Sequence, residues 1–171
     1  MLLIGASYFA GHGFTHMLQA LADSGHKKLY IGEEIVSGLL LRDHRKRPQT
    51  LHRIQSETWN DVVLCDAAPG AAYEALSPPR YPLKVKSLTH ESLLYYFEQV
   101  KKAKAKPLFV VPWAFEDGMT WVKGMTDTYE QMQTIIDANC AGWAKDTGMA
   151  MAPVGPAFRK LMRTHKELHY L

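Results

Sequence analysis

The sequence predicts an α/β fold built on a mainly parallel sheet. Five short apolar runs alternate with segments of helical period, and most of the runs are nearly continuous in apolar residues. Strands covered by helices on both faces have this composition. Because crossovers between parallel strands are right-handed, we predict helices on both faces and the strand order 2-1-3-4-5. The predicted strands are residues 2–5, 29–35, 62–65, 108–112 and 149–154.

Four segments between these strands carry apolar residues at helical spacing. In the first, Phe14, Met17, Leu18 and Leu21 follow the i, i+3, i+4, i+7 pattern of a helix packed on a sheet, and Gly25 is placed to end it. A fourth helix is predicted to open with the capping-box pattern Asp127-x-x-Glu130. We expect each stripe to face the core. The second and third helices are predicted at about 49–58 and 87–104, and the fourth carries Met132, Ile136, Cys140 and Trp143.

Composition and charge favour one globular domain over residues 1–171. The chain is 47% hydrophobic and 22% charged, and its formal charge of +3 is too small to argue for nucleic acid. The basic run at 42–47 is interpreted as a solvated loop rather than a phosphate-binding patch. The sequence contains no run of 18 apolar residues, so it predicts no membrane-spanning helix. Two cysteines make no disulfide framework, so we expect a cytoplasmic protein, although a cleaved signal peptide is compatible with the sequence.

The stretch LLIGASYFAGHG, residues 2–13, places Ser7 directly after the first strand. A phosphate-binding loop would need a second glycine or a lysine that is missing here. The nucleophile elbow G-x-S-x-G also fails, because Phe9 stands at the last glycine position. Taken alone, Ser7 is best interpreted as a helix cap.

Five blocks of the chain, in order, resemble the SGNH/GDSL hydrolases. The resemblance covers nearly the whole chain and implies a three-layer α/β/α sandwich with a flavodoxin-like sheet. It also implies hydrolysis of acyl esters, with Ser7 as the nucleophile and Gly38 as a backbone N–H donor to the oxyanion. The blocks are IGASY (4–8), EIVSGLLL (34–41), WNDVVLCDAAPGA (59–71), PLFVVPWAFEDG (107–118) and MAMAPVGPAF (149–158).

The resemblance also implies a set of substrate-binding candidates. Asp66 and Ala67 follow the third strand, and Trp113 follows the fourth. By position alone, His44 in the loop after the second strand is either a residue that lines the pocket or a solvated loop histidine. Ligands of such sheets bind at the carboxyl ends of the strands, where these residues are predicted to lie. We expect no cofactor, and no cluster of residues has metal-ligand spacing.

Three features depart from the family pattern, and the first is Ala6, which stands where the family commonly has Asp or Asn before the serine. The amide residue that the family places after the third strand falls on Asp66 or Ala67, and an ionised Asp66 facing an oxyanion would repel it. The printed sequence also ends at KELHYL, ahead of the place of the family's Asp-x-x-His, which implies a domain incomplete at its C-terminus and slow hydrolysis. Among other histidines, His12 and His44 are the first alternatives for a base. His165 and His169 are placed on a surface helix.

Two classes of function therefore remain open from the sequence. One is a serine esterase acting on a small ester, such as an acylated carbohydrate. The other is a degenerate relative that binds a ligand or a partner without hydrolysing it. If a closing helix is absent, an apolar strip of the sheet would be uncovered, and a homodimer could cover it.

Overall fold

A central sheet of five parallel strands, in the order β2-β1-β3-β4-β5, organises the computed structural model. The structure describes residues 1–11, 13–72, 88–121, 126–165 and 167. The predicted strand order and direction are confirmed. The strands are β1 (Leu2–Gly5), β2 (Gly32–Ile35), β3 (Asp61–Cys65), β4 (Lys106–Val110) and β5 (Ala150–Ala152).

Helices connect the strands and cover both faces of the sheet. The four helices predicted from periodicity are present with boundaries within a few residues, and an 11-residue helix that was not predicted follows the fifth strand. Short helices after β1, β2 and β3 were not predicted, because four or five residues are too few to show a stripe. The helices are α1 (Ser7–Ala10), α2 (Phe14–Ser24), α3 (Leu41–His44), α4 (Pro48–Ser56), α5 (Ala68–Ala72), α6 (Leu88–Lys102), α7 (Tyr129–Thr147) and α8 (Val154–Thr164).

The start of α7 differs by one residue from the predicted capping box. The N-cap is Thr128, whose hydroxyl accepts the N–H of Gln131 at 3.2 Å. The Gln131 side chain in turn accepts the N–H of Asp127 at 2.7 Å. The reciprocal pattern is therefore present, carried by Thr128 and Gln131 rather than by Asp127 and Glu130.

The larger part of the core lies between one face of the sheet and helices α3 to α7. The opposite face is covered by a smaller cluster that includes Leu3, Phe9 and Val63. The predicted stripe of α2 packs less closely than expected, since Met17 and Leu21 are 53% and 68% exposed. Phe9 occupies the sheet surface and Phe14 stacks on it at 5.2 Å, so α2 rests largely on α1.

The strand register brings the connecting loops to one edge of the sheet. Gly5 pairs with Ile35 on one side and with Cys65 on the other, so β1, β2 and β3 end side by side. Val110 pairs with Ala152 in the same way. Because all five strands run in one direction, each following loop begins at this carboxyl edge. Within the described ranges, no helix is long and apolar enough to cross a membrane.

Candidate functional site

Ser7 is an exposed residue that follows the carboxyl end of β1, next to β2 and β3 in the sheet. It is the first residue of α1, and the N-cap is Ala6, so Ser7 does not cap the helix. Its hydroxyl makes no hydrogen bond to any other residue in the described ranges. The sharp turn from β1 into α1 therefore presents a free hydroxyl to solvent at the edge where ligands of parallel sheets bind.

Gly38 lies in the neighbouring loop, in a tight turn after β2. The Leu39 N–H donates to the Val36 carbonyl at 3.0 Å and closes the turn. Gly38 occupies its third position with φ +75°, which is the glycine position of a type II turn. Neither the Gly38 N–H nor the Ser7 N–H donates to another described residue. These two N–H groups lie on the segments that follow the adjacent strands β1 and β2.

Tyr8 links the loop that carries Ser7 to the loop after β4. Its hydroxyl donates to the Trp113 carbonyl at 2.9 Å, and the two rings meet edge to face at 4.3 Å. Burial raises the pKa of Tyr8, and the backbone of Ala68 lies within hydrogen-bonding range of the same hydroxyl. Trp113 stacks on Phe158 of α8 with centroids 4.5 Å apart. The loops after β1, β3, β4 and β5 are thus tied together around Ser7.

Asp66 is buried, connects neighbouring segments through hydrogen bonds, and has almost no surface accessible to a ligand. It is 1% exposed, and one carboxylate oxygen accepts the N–H groups of Leu41 at 3.1 Å and Ala67 at 3.0 Å. The other oxygen accepts the Thr89 hydroxyl at 2.6 Å. Burial raises the pKa of Asp66, while these three donors oppose the rise. Because Asp66 is buried and both of its oxygens accept hydrogen bonds, we do not propose that it contacts substrate or faces an oxyanion, as the sequence had led us to expect. Ala67 is half-buried and remains accessible.

His44 is fully buried in α3 and does not line a solvated loop as expected. Its Nε2 lies 3.2 Å from the Gly5 carbonyl and its Nδ1 lies 3.5 Å from the Thr50 hydroxyl. Because a carbonyl can only accept, Nε2 carries the hydrogen, which leaves Nδ1 as the acceptor. Burial is the largest influence on the ring and lowers the pKa of His44. His44 therefore has no exposed surface for a substrate and no free nitrogen to act as a base.

Other reactive side chains are buried or lie far from Ser7. Cys65 is buried at the end of β3, and burial raises the pKa of its thiol well above the ordinary value. His165 is exposed and pairs with Glu167 at 3.1 Å, beyond the far end of α8. His12 and His169 lie outside the described residues. In the described part of the chain, no group of three His, Cys, Asp or Glu residues could hold a metal ion.

The basic run at 42–47 is predicted to be a solvated loop, but it begins within a helix. Its first residues form α3, and Asp43 pairs with Arg42 at 3.5 Å and with Lys46 at 3.2 Å. The Arg45 guanidinium lies over the Tyr95 ring at 4.8 Å. Together these residues line an open pocket of about 500 Å³. The carboxylate of Asp43 neutralises part of the charge.

Comparison with solved structures gives three informative matches. A protein from Slackia heliotrinireducens named as an SGNH hydrolase superposes with a TM-score of 0.70 and 23% identity, over 93% of this chain and 80% of its own. The acetyl xylan esterase AlAXEase gives 0.70 and 11%, over 97% and 82%. An acetylxylan esterase from Geobacillus stearothermophilus gives 0.66 and 13%, over 95% and 79%.

These matches are matches of fold. No family model and no curated protein sequence matches the chain. The strand order, the parallel direction and the flanking helices agree with the structures that superpose on nearly the whole chain. The chain therefore has the α/β fold of the SGNH/GDSL hydrolases.

Proposed function

We propose that the protein is a serine hydrolase that cleaves a small acyl ester through an acyl-enzyme on Ser7. The observation that supports the proposal is an exposed Ser7 hydroxyl after β1, together with N–H groups of Ser7 and Gly38 that donate to no other described residue, on segments that follow adjacent strands. Two fixed N–H donors are what the tetrahedral intermediate of acyl transfer needs. The likeness in fold to esterases supports the same chemistry.

The proposed reaction has two balanced steps. In the first, the Ser7 oxygen bonds to the ester carbonyl carbon, its proton passes to a base, and the alcohol leaves with a proton as the original C–O bond breaks. In the second, water bonds to the acyl carbon and gives a proton to the base, the bond between the Ser7 oxygen and the acyl carbon breaks, the base returns the proton to the Ser7 oxygen, and the acid is released. In both steps the negative oxygen of the tetrahedral intermediate accepts the N–H groups of Ser7 and Gly38.

The base in this scheme is a histidine imidazole, the class that the family resemblance implies. His44 is excluded by its two existing contacts. His165 has the carboxylate partner that an orienting pair requires, but an 11-residue helix separates it from the carboxyl edge. At 1.5 Å per residue that helix spans about 16 Å. We therefore propose neither of them as the base.

Ala67 and Trp113 are the proposed substrate contacts. Both are half-buried at the carboxyl edge, on the loops after β3 and β4. Trp113 is held by Tyr8 and by Phe158, so its ring position is fixed before a ligand arrives. A fixed aromatic wall beside the nucleophile suits a small acyl group or a sugar ring.

A second candidate function is binding of an ester or acid without turnover. It is favoured by the geometry of His44, the described histidine nearest to β1, whose ring nitrogens contact Gly5 and Thr50 instead of Ser7. A nucleophile without a base retains only the oxyanion and binding contributions. Ligand stabilisation without product release would support this alternative.

Two further parts of the proposal concern the location of the protein in the cell and its oligomeric state. We propose a cytoplasmic location, supported by a sequence with two cysteines, too few for the disulfide framework typical of small secreted domains. We also propose a homodimer, supported by the exposed Met17 and Leu21 on α2. Sedimentation of the purified chain tests the dimer, and Leu21→Glu should shift it to the monomer.

The test of the catalytic proposal compares wild type with Ser7→Ala on p-nitrophenyl acetate. Ser56→Ala is the matched control, since Ser56 is also exposed but lies at the end of α4, before β3 begins. We expect p-nitrophenolate release at least about tenfold above Ser7→Ala, with Ser56→Ala equal to wild type. Mass spectrometry should find one acetyl group on the Ser7 peptide during turnover. Equal rates in all three proteins would reject the hydrolase and leave the binding function.

A further inference from the structure

Both ends of the short helix α3 are tied to strand ends by buried side chains. At its first residue, the Leu41 N–H donates to the Asp66 carboxylate after β3. At its last residue, His44 donates to the Gly5 carbonyl at the end of β1. Asp66 and His44 are 1% and 0% exposed, so neither bond competes with water. The helix is thereby fixed across the ends of two adjacent strands.

The tied helix directly follows the turn that carries Gly38. That turn runs from Val36 to Leu39, and α3 begins two residues later. The Gly5 carbonyl accepts a second bond, from the Val36 N–H at 3.0 Å, on the other side of the turn. The segment bearing Gly38 is therefore anchored before and after the glycine, and one of the shared anchors lies two residues before Ser7.

We propose that Asp66 and His44 are positioning residues that hold the Gly38 N–H beside Ser7. This inference rests on the proposed function, in which Gly38 is an oxyanion donor. It also gives Asp66 a role that its departure from the family pattern left open. The carboxylate braces the segment that bears a donor and does not act as a donor itself.

The contacts of Asp66 predict which substitution preserves the brace. In Asp66→Asn, Oδ1 can still accept the N–H groups of Leu41 and Ala67, and the amide can donate to the Thr89 oxygen. In Asp66→Ala, two buried N–H groups and a hydroxyl lose their acceptor. Gly70 packs against the same carboxylate, since an added Cβ there would lie 3.2 Å from its Oδ2.

The contacts of His44 predict a second pair of variants. His44→Gln retains an N–H donor at about the reach of Nε2, so the bond to Gly5 can form. His44→Leu fills similar space without a donor, which leaves the Gly5 carbonyl with the Val36 bond alone. A positioning role predicts that Gln preserves the site and Leu does not.

The kinetic test measures kcat and KM for these four variants of the full chain. Thr147→Ala is the matched control: its buried hydroxyl accepts the Met149 N–H at 3.1 Å, before β5 begins and so at the opposite edge of the sheet. We expect Asp66→Ala and His44→Leu to lower kcat about 10²-fold, the effect of displacing a catalytic group by about 1 Å. KM should change little, and the Asn and Gln variants should stay near wild type. Thr147→Ala should lose stability and keep kcat.

A second measurement does not depend on turnover. In ¹H–¹⁵N spectra, the amide resonances of Gly38 and Ser7 should shift in Asp66→Ala and His44→Leu, return toward wild type in the Asn and Gln variants, and stay in place in Thr147→Ala. If wild type lacks Ser7-dependent activity but these shifts appear, the proposed function fails, and the positioning of the Gly38 segment by Asp66 and His44 is still supported. Unmoved resonances, a kcat that stays unchanged although wild type shows Ser7-dependent activity, or loss of folding in both disrupted variants would overturn the inference.

Discussion

Replacing Gly38 by alanine tests whether the turn after β2 is conformationally specified and catalytically used. The residue has φ +75°, which alanine adopts with strain, but an added Cβ would meet no atom within 4 Å. The perturbation is therefore one of backbone conformation and not of packing. The left-handed conformation costs a non-glycine residue about 1–2 kcal/mol. Alanine recovers about 0.4–1 kcal/mol by restricting the unfolded chain.

The net expectation is a loss of about 1 kcal/mol in the free energy of unfolding. Relaxing the turn relieves this strain by rotating the peptide between Ser37 and Gly38, which turns the Gly38 N–H away. A strain of about 1 kcal/mol shifts the equilibrium between the original turn and the relaxed turn about fivefold. Complete loss of one oxyanion donor costs about 10²–10³ in rate. We therefore expect kcat to fall between about fivefold and about 10²-fold.

Gly148→Ala is the matched control for this substitution. Gly148 follows α7 with φ +68°, and an added Cβ there also meets nothing within 4 Å, but the residue lies ahead of β5 at the opposite edge. Urea unfolding should show similar losses for the two variants, and p-nitrophenyl acetate hydrolysis should fall for Gly38→Ala alone. Equal activities would refute the assignment of Gly38 to the site, and an unchanged stability would refute the strain argument.

Two further predictions concern the brace and the packing behind the site. Burial raises the pKa of Asp66 in the folded state, so the folded state binds this proton more tightly than the unfolded state does. Wild type therefore loses stability as the pH rises from the pKa of the unfolded state through that of the folded state. Asp66→Asn should lack this loss, so its stability relative to wild type in urea unfolding should rise as the pH is raised above 3.8, the ordinary pKa of the group; a constant difference would contradict the argument. Gly155→Ala should lower the thermal midpoint, because its Cβ would overlap the Pro112 carbonyl and overpacking costs about 1–3 kcal/mol; an unchanged midpoint would show that α8 does not pack there as described.

The fold was largely predictable because the strands are short apolar runs with little ambiguity. β1 has the predicted boundaries, whereas β2 begins at Gly32 and not at residue 29. The Trp59 ring lies so close to Gly32 that a Cβ could not fit, a tertiary contact that no local pattern reports. The half-exposed stripe of α2 has a similar cause, since Phe9 of the unpredicted α1 takes the place on the sheet.

The candidate site was predictable in its backbone and not in its buried polar residues. Ser7 and Gly38 follow strand ends, and strand ends are readable from the sequence. Asp66 and His44 also follow strands, so they were assigned to substrate binding by position. Their partners, Leu41, Thr89 and Gly5, are distant in sequence, and only the packed structure reveals that they occupy both side chains. The pairing of His44 with a carbonyl carries no sequence signal.

The distance between the Ser7 oxygen and the Gly38 nitrogen tests the central claim most directly. It is measured in a crystal structure of the full chain after reaction with a p-nitrophenyl phosphonate ester, which would bond to an activated serine. The account predicts phosphorus on Ser7, with one phosphonyl oxygen about 3 Å from both the Ser7 and the Gly38 nitrogens. An unmodified Ser7 lying beyond about 8 Å from the Gly38 nitrogen would contradict it, because no single oxyanion could reach both donors.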